Sequence, residues 1–258
     1  MITVKVNGQT GTIILDQPAR CNALSREMVA QLSEALDDLR QQKSVRGIVL
    51  TGAGAHFCAG IDLKQWQEST SSEDSMQQWY RDAQAIQAVI EQMLQLPKPI
   101  VAAVDGATIG TGFALVLACD LVVASGRATF SVPAPKLGLV SGLVAPLLAF
   151  RAGAAVASHF LIGGSELSAS EAKNLGLVQY VVEAEQVWVR ASNWIDTISM
   201  GAAESLQLTK KLLNEMVGEQ MLTMLSSGAA VTATALTTEA AAEGLAAFKD
   251  KRSPKFPG

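Results

Sequence analysis

Ile100-Val101-Ala102-Ala103-Val104-Asp105-Gly106-Ala107-Thr108-Ile109-Gly110-Thr111-Gly112-Phe113 reads as a buried strand, a glycine-rich turn and the opening of a helix. The same sequence of events occurs earlier. Gly47-Ile48-Val49-Leu50-Thr51 reads as a buried strand, and Gly52-Ala53-Gly54-Ala55-His56-Phe57-Cys58-Ala59-Gly60-Ile61-Asp62 follows it. A strand that ends in glycines and opens a helix leaves backbone N–H groups unpaired and pointed outward. Two such turns brought together would hold one developing negative charge on an oxygen, an oxyanion hole made of main chain. Between Ile100 and Phe150 the only acidic residues are Asp105 and Asp120, so acid–base chemistry there is poorly supplied.

The rest of the chain arranges itself around these two units. Val4 to Leu15 alternates apolar and polar residues around Asn7-Gly8, which predicts a hairpin. Ser25 caps a helix to about Gln42, with Met28, Val29, Leu32, Ala35, Leu36 and Leu39 along one face. Gln67 to Ser75 reads as a polar loop, and a long helix then runs to about Leu96, stopped by Pro97 and Pro99. After the second turn a short helix reaches Ala118, and Leu121–Ala124 and Thr129–Ser131 read as strands. From Gly142 the pattern is largely helical, with a capping box at Ser168-Ala169-Ser170-Glu171 and Gly176 at that helix's end. Gly176 to Val182 returns to strand character, and Glu185 to Phe248 predicts three helices with Ala-rich faces. The repeated strand–turn–helix unit implies stacked β-β-α layers.

Composition narrows the class. The 258 residues are 49% hydrophobic and 17% charged, which fits a globular chain with apolar surface left for partner subunits. A net charge of −4 gives no basic footprint for nucleic acid. The start lacks the basic and apolar regions of a signal peptide, and Pro146, Arg151 and His159 argue against a membrane span over Leu137–Ile162. Cys21, Cys58 and Cys119 are scattered and odd in number, so they read as reduced packing residues of a cytoplasmic protein. Two histidines, His56 and His159, leave no set for a zinc site or a histidine-based triad. Neither glycine turn fits G-x-G-x-x-G or carries G-K-[ST], so a nicotinamide, flavin or P-loop nucleotide reading fails.

Longer motifs then stand out. Phe57-Cys58-Ala59-Gly60-Ile61-Asp62-Leu63-Lys64 resembles the F-x-A-G-x-D-L/I-K turn of the enoyl-CoA hydratase/isomerase (crotonase) superfamily. Pro97-Lys98-Pro99-Ile100 through Gly106, Gly110-Thr111-Gly112 and Ala118-Cys119-Asp120 are similar to that family's second turn. Phe130 to Leu139 resembles its F-x-x-P-E-x-K-L-G-L, and Asn22-Ala23-Leu24 its CoA-contacting segment. Ala172–Val178 and Phe248–Phe256 match as well, so the resemblance spans essentially the whole chain in order.

The resemblance implies an α/β crotonase (ClpP-like) fold: a core over 1–195 holding an acyl-CoA site, and a helical trimerisation region over 196–258. It implies a homotrimer or dimer of trimers and a thioester of coenzyme A, or of acyl carrier protein, as substrate. It implies no metal and no cofactor beyond the coenzyme A of the substrate. The thioester oxygen would sit between the backbone N–H groups of Ile61 and Thr111, each such donor contributing about 3 kcal/mol of barrier stabilisation. The substrate contacts implied by position are Ala19, Cys21, Ala59, Gly60, Leu63, Trp66, Gly110, Ala114, Ala134, Leu139, Phe248 and Lys251.

The departures from the pattern bear on the chemistry. The two glutamates that hold water in the hydratases fall on Ala114 and Ala134, and Thr111 replaces a glycine. A positioned acid–base group contributes about 10²–10⁴-fold, so ordinary hydration is disfavoured. Ser141 reads as a helix N-cap beside Gly142, or as a polar residue facing the acyl group. Glu68 and Glu73 read as solvated loop residues, or as carboxylates that swing over the pocket. Trp66 reads equally as core or as acyl-pocket wall. Asp62 reads as a helix cap, Cys58 as packing, His56 as exposed and His159 as structural. Lys251 and Lys255 read as a solvated tail or as contacts to coenzyme A phosphate in a neighbouring subunit. Two functions remain: a lyase or isomerase of fatty-acid type working through an enolate by decarboxylation, C–C cleavage or a substrate-supplied base, and a non-catalytic acyl-CoA-binding member of the same family.

Overall fold

The structure is a computed structural model that describes residues 1–69, 74–215 and 218–257. A hairpin opens it, β1 (Ile2–Asn7) antiparallel to β2 (Thr10–Leu15). Gly8 takes the first loop position with φ +57°, so the tight turn is centred one residue later than the Asn7-Gly8 pair. Ser25 caps α1 (Arg26–Gln41) by accepting from the Met28 N–H, and the six apolar residues of its predicted face are all buried. β3 (Gly47–Gly52), β4 (Ile100–Val104), β6 (Leu121–Ser125) and β9 (Tyr180–Val182) extend the sheet in parallel, in the order β1-β2-β3-β4-β6-β9.

Period-2 alternation splits this sheet between two cores. Ile48, Leu50, Ile100, Ala102 and Val104 face the main core with α1, α3 (Ser75–Gln95) and α4 (Thr111–Ala118). Val49, Val101, Ala103 and Val123 face the other side, where α8 (Val187–Ser199) covers them with Val187, Ala191 and Ile195.

A second, three-stranded sheet runs beside the glycine turns: β5 (Ala107–Ile109) parallel to β7 (Thr129–Ser131), and β7 antiparallel to β8 (Glu166–Ser168). β5 and β8 lie where the sequence reads only as turn and helix. Three residues are too few for periodicity to report, and Ala107–Ile109 becomes strand only because β7 is there to pair. Helix α2 (Leu63–Glu68) occupies the first residues of the polar loop expected from Gln67, and residues 70–73 of that stretch lie outside the described residues. Glu68 thus closes a helix, while Glu73 lies outside the described residues.

Downstream come α5 (Val144–Ala152), α6 (Ala154–Gly163) and α7 (Ala169–Asn174), the last with the predicted capping box at Ser168 and Glu171. Ser141 makes no side-chain cap: Leu143 precedes α5, and it is the Ser141 carbonyl that accepts from Val144 and Ala145. His159 is exposed on α6 rather than built into the fold.

Among the described residues the last third forms four helices rather than three: α8, α9 (Ala203–Glu215), α10 (Gly218–Ala235) and α11 (Glu239–Lys249). Thr237 and Thr238 make the break before α11, Thr238 capping it through Ala241 N–H. These helices lie on the core. Met221, Leu225 and Ala229 of α10 join the main cluster, and the buried Lys210 ammonium of α9 meets Asp120 at 2.8 Å and the carbonyls of Met93 and Lys98. The closest approach is backbone on backbone: a Cβ on Gly228 would run into the Gly142 carbonyl, and one on Gly244 into the Leu137 carbonyl. No helix among the described residues is long and apolar enough to cross a membrane.

The Gly228 contact fixes the sign of a substitution. In an open helix Gly→Ala stabilises by about 1 kcal/mol. Here Gly228→Ala is expected to destabilise by about 1–3 kcal/mol through overpacking, lowering the urea midpoint. A variant as stable as the parent contradicts the close approach.

Candidate functional site

Asn22 fixes the first glycine turn. It is fully buried with φ +55°, in a left-handed pair with Cys21 at +50°, a region asparagine tolerates better than most residues. Its amide nitrogen donates to the carbonyls of Ala53 (2.9 Å), His56 (2.8 Å) and Phe57 (3.2 Å), and its oxygen accepts from Gln17 N–H (2.9 Å). The fully buried Cys58 thiol donates to the Asn22 carbonyl at 3.1 Å. Burial pushes that thiol up to about 12, against a smaller opposing bond from Gly60, so Cys58 is a packing group and no nucleophile. His56 is half-buried rather than exposed, because its Nδ1 accepts from Ala107 N–H at 3.4 Å.

The next residues decide where the free amides point. Leu24 N–H donates to Gly60 C=O (2.7 Å), and Asp62 N–H donates to Leu24 C=O (3.2 Å). This parallel bridge uses the residues on either side of Ile61 and turns the Ile61 N–H the opposite way. Among the described residues that N–H has no hydrogen-bond partner.

The second turn supplies a similar donor. Gly110 (φ +54°) precedes α4, and its carbonyl accepts from Phe113 and Ala114, which leaves the Thr111 N–H as a first-turn donor with no partner among the described residues. The turns touch through glycines. A Cβ on Gly60, at φ +83°, would sit 2.6 Å from Ile109 O and 3.3 Å from Thr111 N. A Cβ on Gly112 would sit 2.7 Å from Cys58 O. Phe113 anchors the buried α4 between Phe130 and Phe160, with ring centroids at 5.2 and 5.8 Å.

Both turns border a cavity of about 480 Å³. Ala19, Cys21, Ala59, Gly60, Ile61, Leu63, Trp66, Gly110, Thr111, Ala134, Leu139, Ser141 and Phe248 all line it. Two residues singled out in the sequence lie elsewhere. Ala114 is fully buried within α4, and Lys251 is exposed at the end of α11 with φ +53°. Trp66 is both core and wall: it packs with Trp79, Leu236 and Leu245 while bordering the cavity.

Among the described lining residues Asp62 is the only carboxylate, and it is committed. It is 4% exposed, caps α2 through Lys64 N–H (3.2 Å) and pairs with Arg20 at 2.6 Å. Its Oδ2 has no aligned hydrogen-bond donor, so the Arg20 contact is ionic rather than a directed bond. Among the described residues no cluster of three metal-ligating side chains occurs.

Sequence reasoning missed Arg20, Leu143, Val144 and Thr232 as cavity residues. Arg20 and Thr232 sit more than two hundred positions apart, and only tertiary packing of α10 brings Thr232 in. Past α11, Arg252 grips Glu243 at 2.6 and 2.9 Å, and Lys255 N–H donates to the same carboxylate. These contacts hold the Glu243 carboxyl down to about 2.

Two turns held side by side over an apolar cavity, on a parallel sheet with helical covers, define a crotonase-fold protein. An enoyl-CoA hydratase structure from Bacillus halodurans matches with a TM-score of 0.88 at 26% identity, covering 95% of this chain and 99% of that one. An enoyl-CoA hydratase/isomerase from Pseudoalteromonas atlantica matches with a TM-score of 0.87 at 28% identity, covering 99% of each. A Thermus thermophilus protein provisionally named enoyl-CoA hydratase is 35% identical over 249 residues, 96% of this chain and 98% of its own. The family described as enoyl-CoA hydratase/isomerase matches residues 6–258, and the chain belongs to it.

Two measurements check the turn. Asn22→Ala leaves buried carbonyls unpaired and puts alanine in the left-handed region, so stability is expected to fall by about 2–4 kcal/mol in urea. Thiol labelling of the native protein is expected at the part-exposed Cys21, with Cys58 and Cys119 reacting only on unfolding. Native labelling of Cys58 as fast as Cys21 contradicts its assignment as packing.

Proposed function

We propose that this protein processes an acyl-CoA thioester, or its acyl-carrier-protein equivalent, through an enolate held by the Ile61 and Thr111 N–H groups. One observation carries the reading: two main-chain donors without a partner among the described residues, Ile61 next to Gly60 and Thr111 with its nitrogen 3.3 Å from where a Gly60 Cβ would sit, both line an apolar cavity. As the thioester becomes an enolate, charge moves onto its oxygen, and fixed donors stabilise that charge more than the neutral carbonyl. The likeness to proteins named enoyl-CoA hydratases supports the thioester as substrate.

The step that forms the enolate is constrained by what the site lacks. Ala134 on the wall and Ala114, buried in α4, stand where the family pattern has glutamates, and Asp62 is bound to Arg20 and Lys64. No lining carboxylate among the described residues is free to take a proton. Cleaving a C–C bond avoids that need. Loss of carbon dioxide from a malonyl-type thioester, for instance, leaves its electron pair on the α-carbon and forms the enolate directly. Ordinary water addition, which requires a base, is not the reaction proposed. The same missing carboxylates favour a second reading, in which the cavity binds acyl-CoA without turning it over. Assembly as a homotrimer or dimer of trimers through the region 196–258 belongs to the same proposal.

A panel of enoyl-, 3-oxoacyl- and malonyl-type CoA thioesters separates these readings. Product from a malonyl- or 3-oxoacyl-type thioester, with enoyl-CoA hydration at least about 10²-fold slower, is the expected result. Tight binding without turnover selects the binding reading. Rapid hydration by the unmodified protein contradicts the proposal. In the Ala134→Glu protein a carboxyl returns to the cavity wall, and hydration is expected to rise.

A further inference from the structure

Two side-chain hydroxyls of cavity-lining residues have no hydrogen-bond partner among the described residues. Thr111 is 7% exposed, yet its Oγ1 has no hydrogen-bond partner among the described residues and is not among the fully enclosed unpaired atoms. Thr111 lines the cavity. Ser141, a lining residue on the segment leading to α5, likewise has no side-chain partner among the described residues. Thr232, the remaining lining hydroxyl residue, is already committed, donating to Gly228 C=O at 2.8 Å. The surrounding lining is mostly alkyl: Ile61, Leu63, Ile109, Leu139, Leu143 and Val144. A hydroxyl held at an apolar wall without a partner is unfavourable, and any oxygen entering the cavity beside it gains a bond.

We infer that Thr111 and Ser141 select acyl groups that carry an oxygen at the β-carbon, such as 3-oxoacyl or 3-hydroxyacyl thioesters, over plain saturated ones. The inference rests on the proposed thioester site. Oγ1 of Thr111 is three bonds from its own amide nitrogen. Donors so spaced suit two oxygens borne on carbons one and three of an acyl chain: the thioester oxygen at the amide and the β-oxygen at the hydroxyl. Ser141 lines the same cavity and offers a second hydroxyl to that group. A glycine at position 111 would leave the amide and delete this second contact. Each hydroxyl thus acts as a specificity determinant.

The test is the ratio of dissociation constants for acetoacetyl-CoA, 3-hydroxybutyryl-CoA and butyryl-CoA, by calorimetry on the full chain. The parent is expected to prefer the oxygenated ligands by roughly three- to tenfold, the worth of one net hydrogen bond. Thr111→Val keeps the shape and removes the hydroxyl, and Ser141→Ala removes the other hydroxyl. Each is expected to bring the ratio toward one. Thr111→Ser is expected to restore the preference, which a merely structural role would not do. Binding of all three ligands with no preference, or a preference that survives both substitutions, overturns this inference and leaves the site reading standing. Failure of any thioester to bind overturns both.

Discussion

The site depends on one close approach, that of Gly60 to the second turn. Any side chain there would meet the Ile109 carbonyl at 2.6 Å, and the left-handed φ of +83° excludes most residues independently. Removing the Cβ lets the chain on either side of Gly60 come within contact of the start of α4. The parallel bridge to Leu24 then turns the Ile61 N–H away from ordinary pairing, while the helix start leaves the Thr111 N–H unpaired. Gly112 repeats the arrangement from the other side, against Cys58. Each turn is shaped by contact with its counterpart, so neither is a free-standing motif.

Much of this was legible from residues alone because the signals were long or chemically specific. The face of α1, the capping box of α7 and the four parallel strands rest on periodicities or spacings that tertiary contacts reinforce. The glycine turns were legible as sources of unpaired amides, since strand-to-helix transitions through glycine leave few alternatives. What escaped was set by partners distant in sequence. β5 and β8 exist through β7, His56 is drawn inward by Ala107, and Thr232 reaches the cavity because Gly228 and Gly142 let α10 sit against the lining segment. Ser141 shows the converse: its sequence fits a helix cap, but the helix starts three residues later.

The walls of the cavity say as much about chemistry as the amides do. Alkyl groups dominate, and the one carboxylate among the described lining residues is paired with Arg20. Under the proposed function, such a wall would stabilise charge on one oxygen while its described lining offers no free carboxylate as proton acceptor. That combination is why the proposed function turns on reactions in which the substrate provides its own electron pair.

The most direct measurement is the infrared carbonyl band of a ¹³C-labelled butyryl-CoA thioester, free and bound. Two N–H donors on the thioester oxygen weaken the C=O bond, so the band is expected to move to lower frequency on binding than in water. A bound band at or above the aqueous frequency contradicts the convergence of Ile61 and Thr111 on a single oxygen.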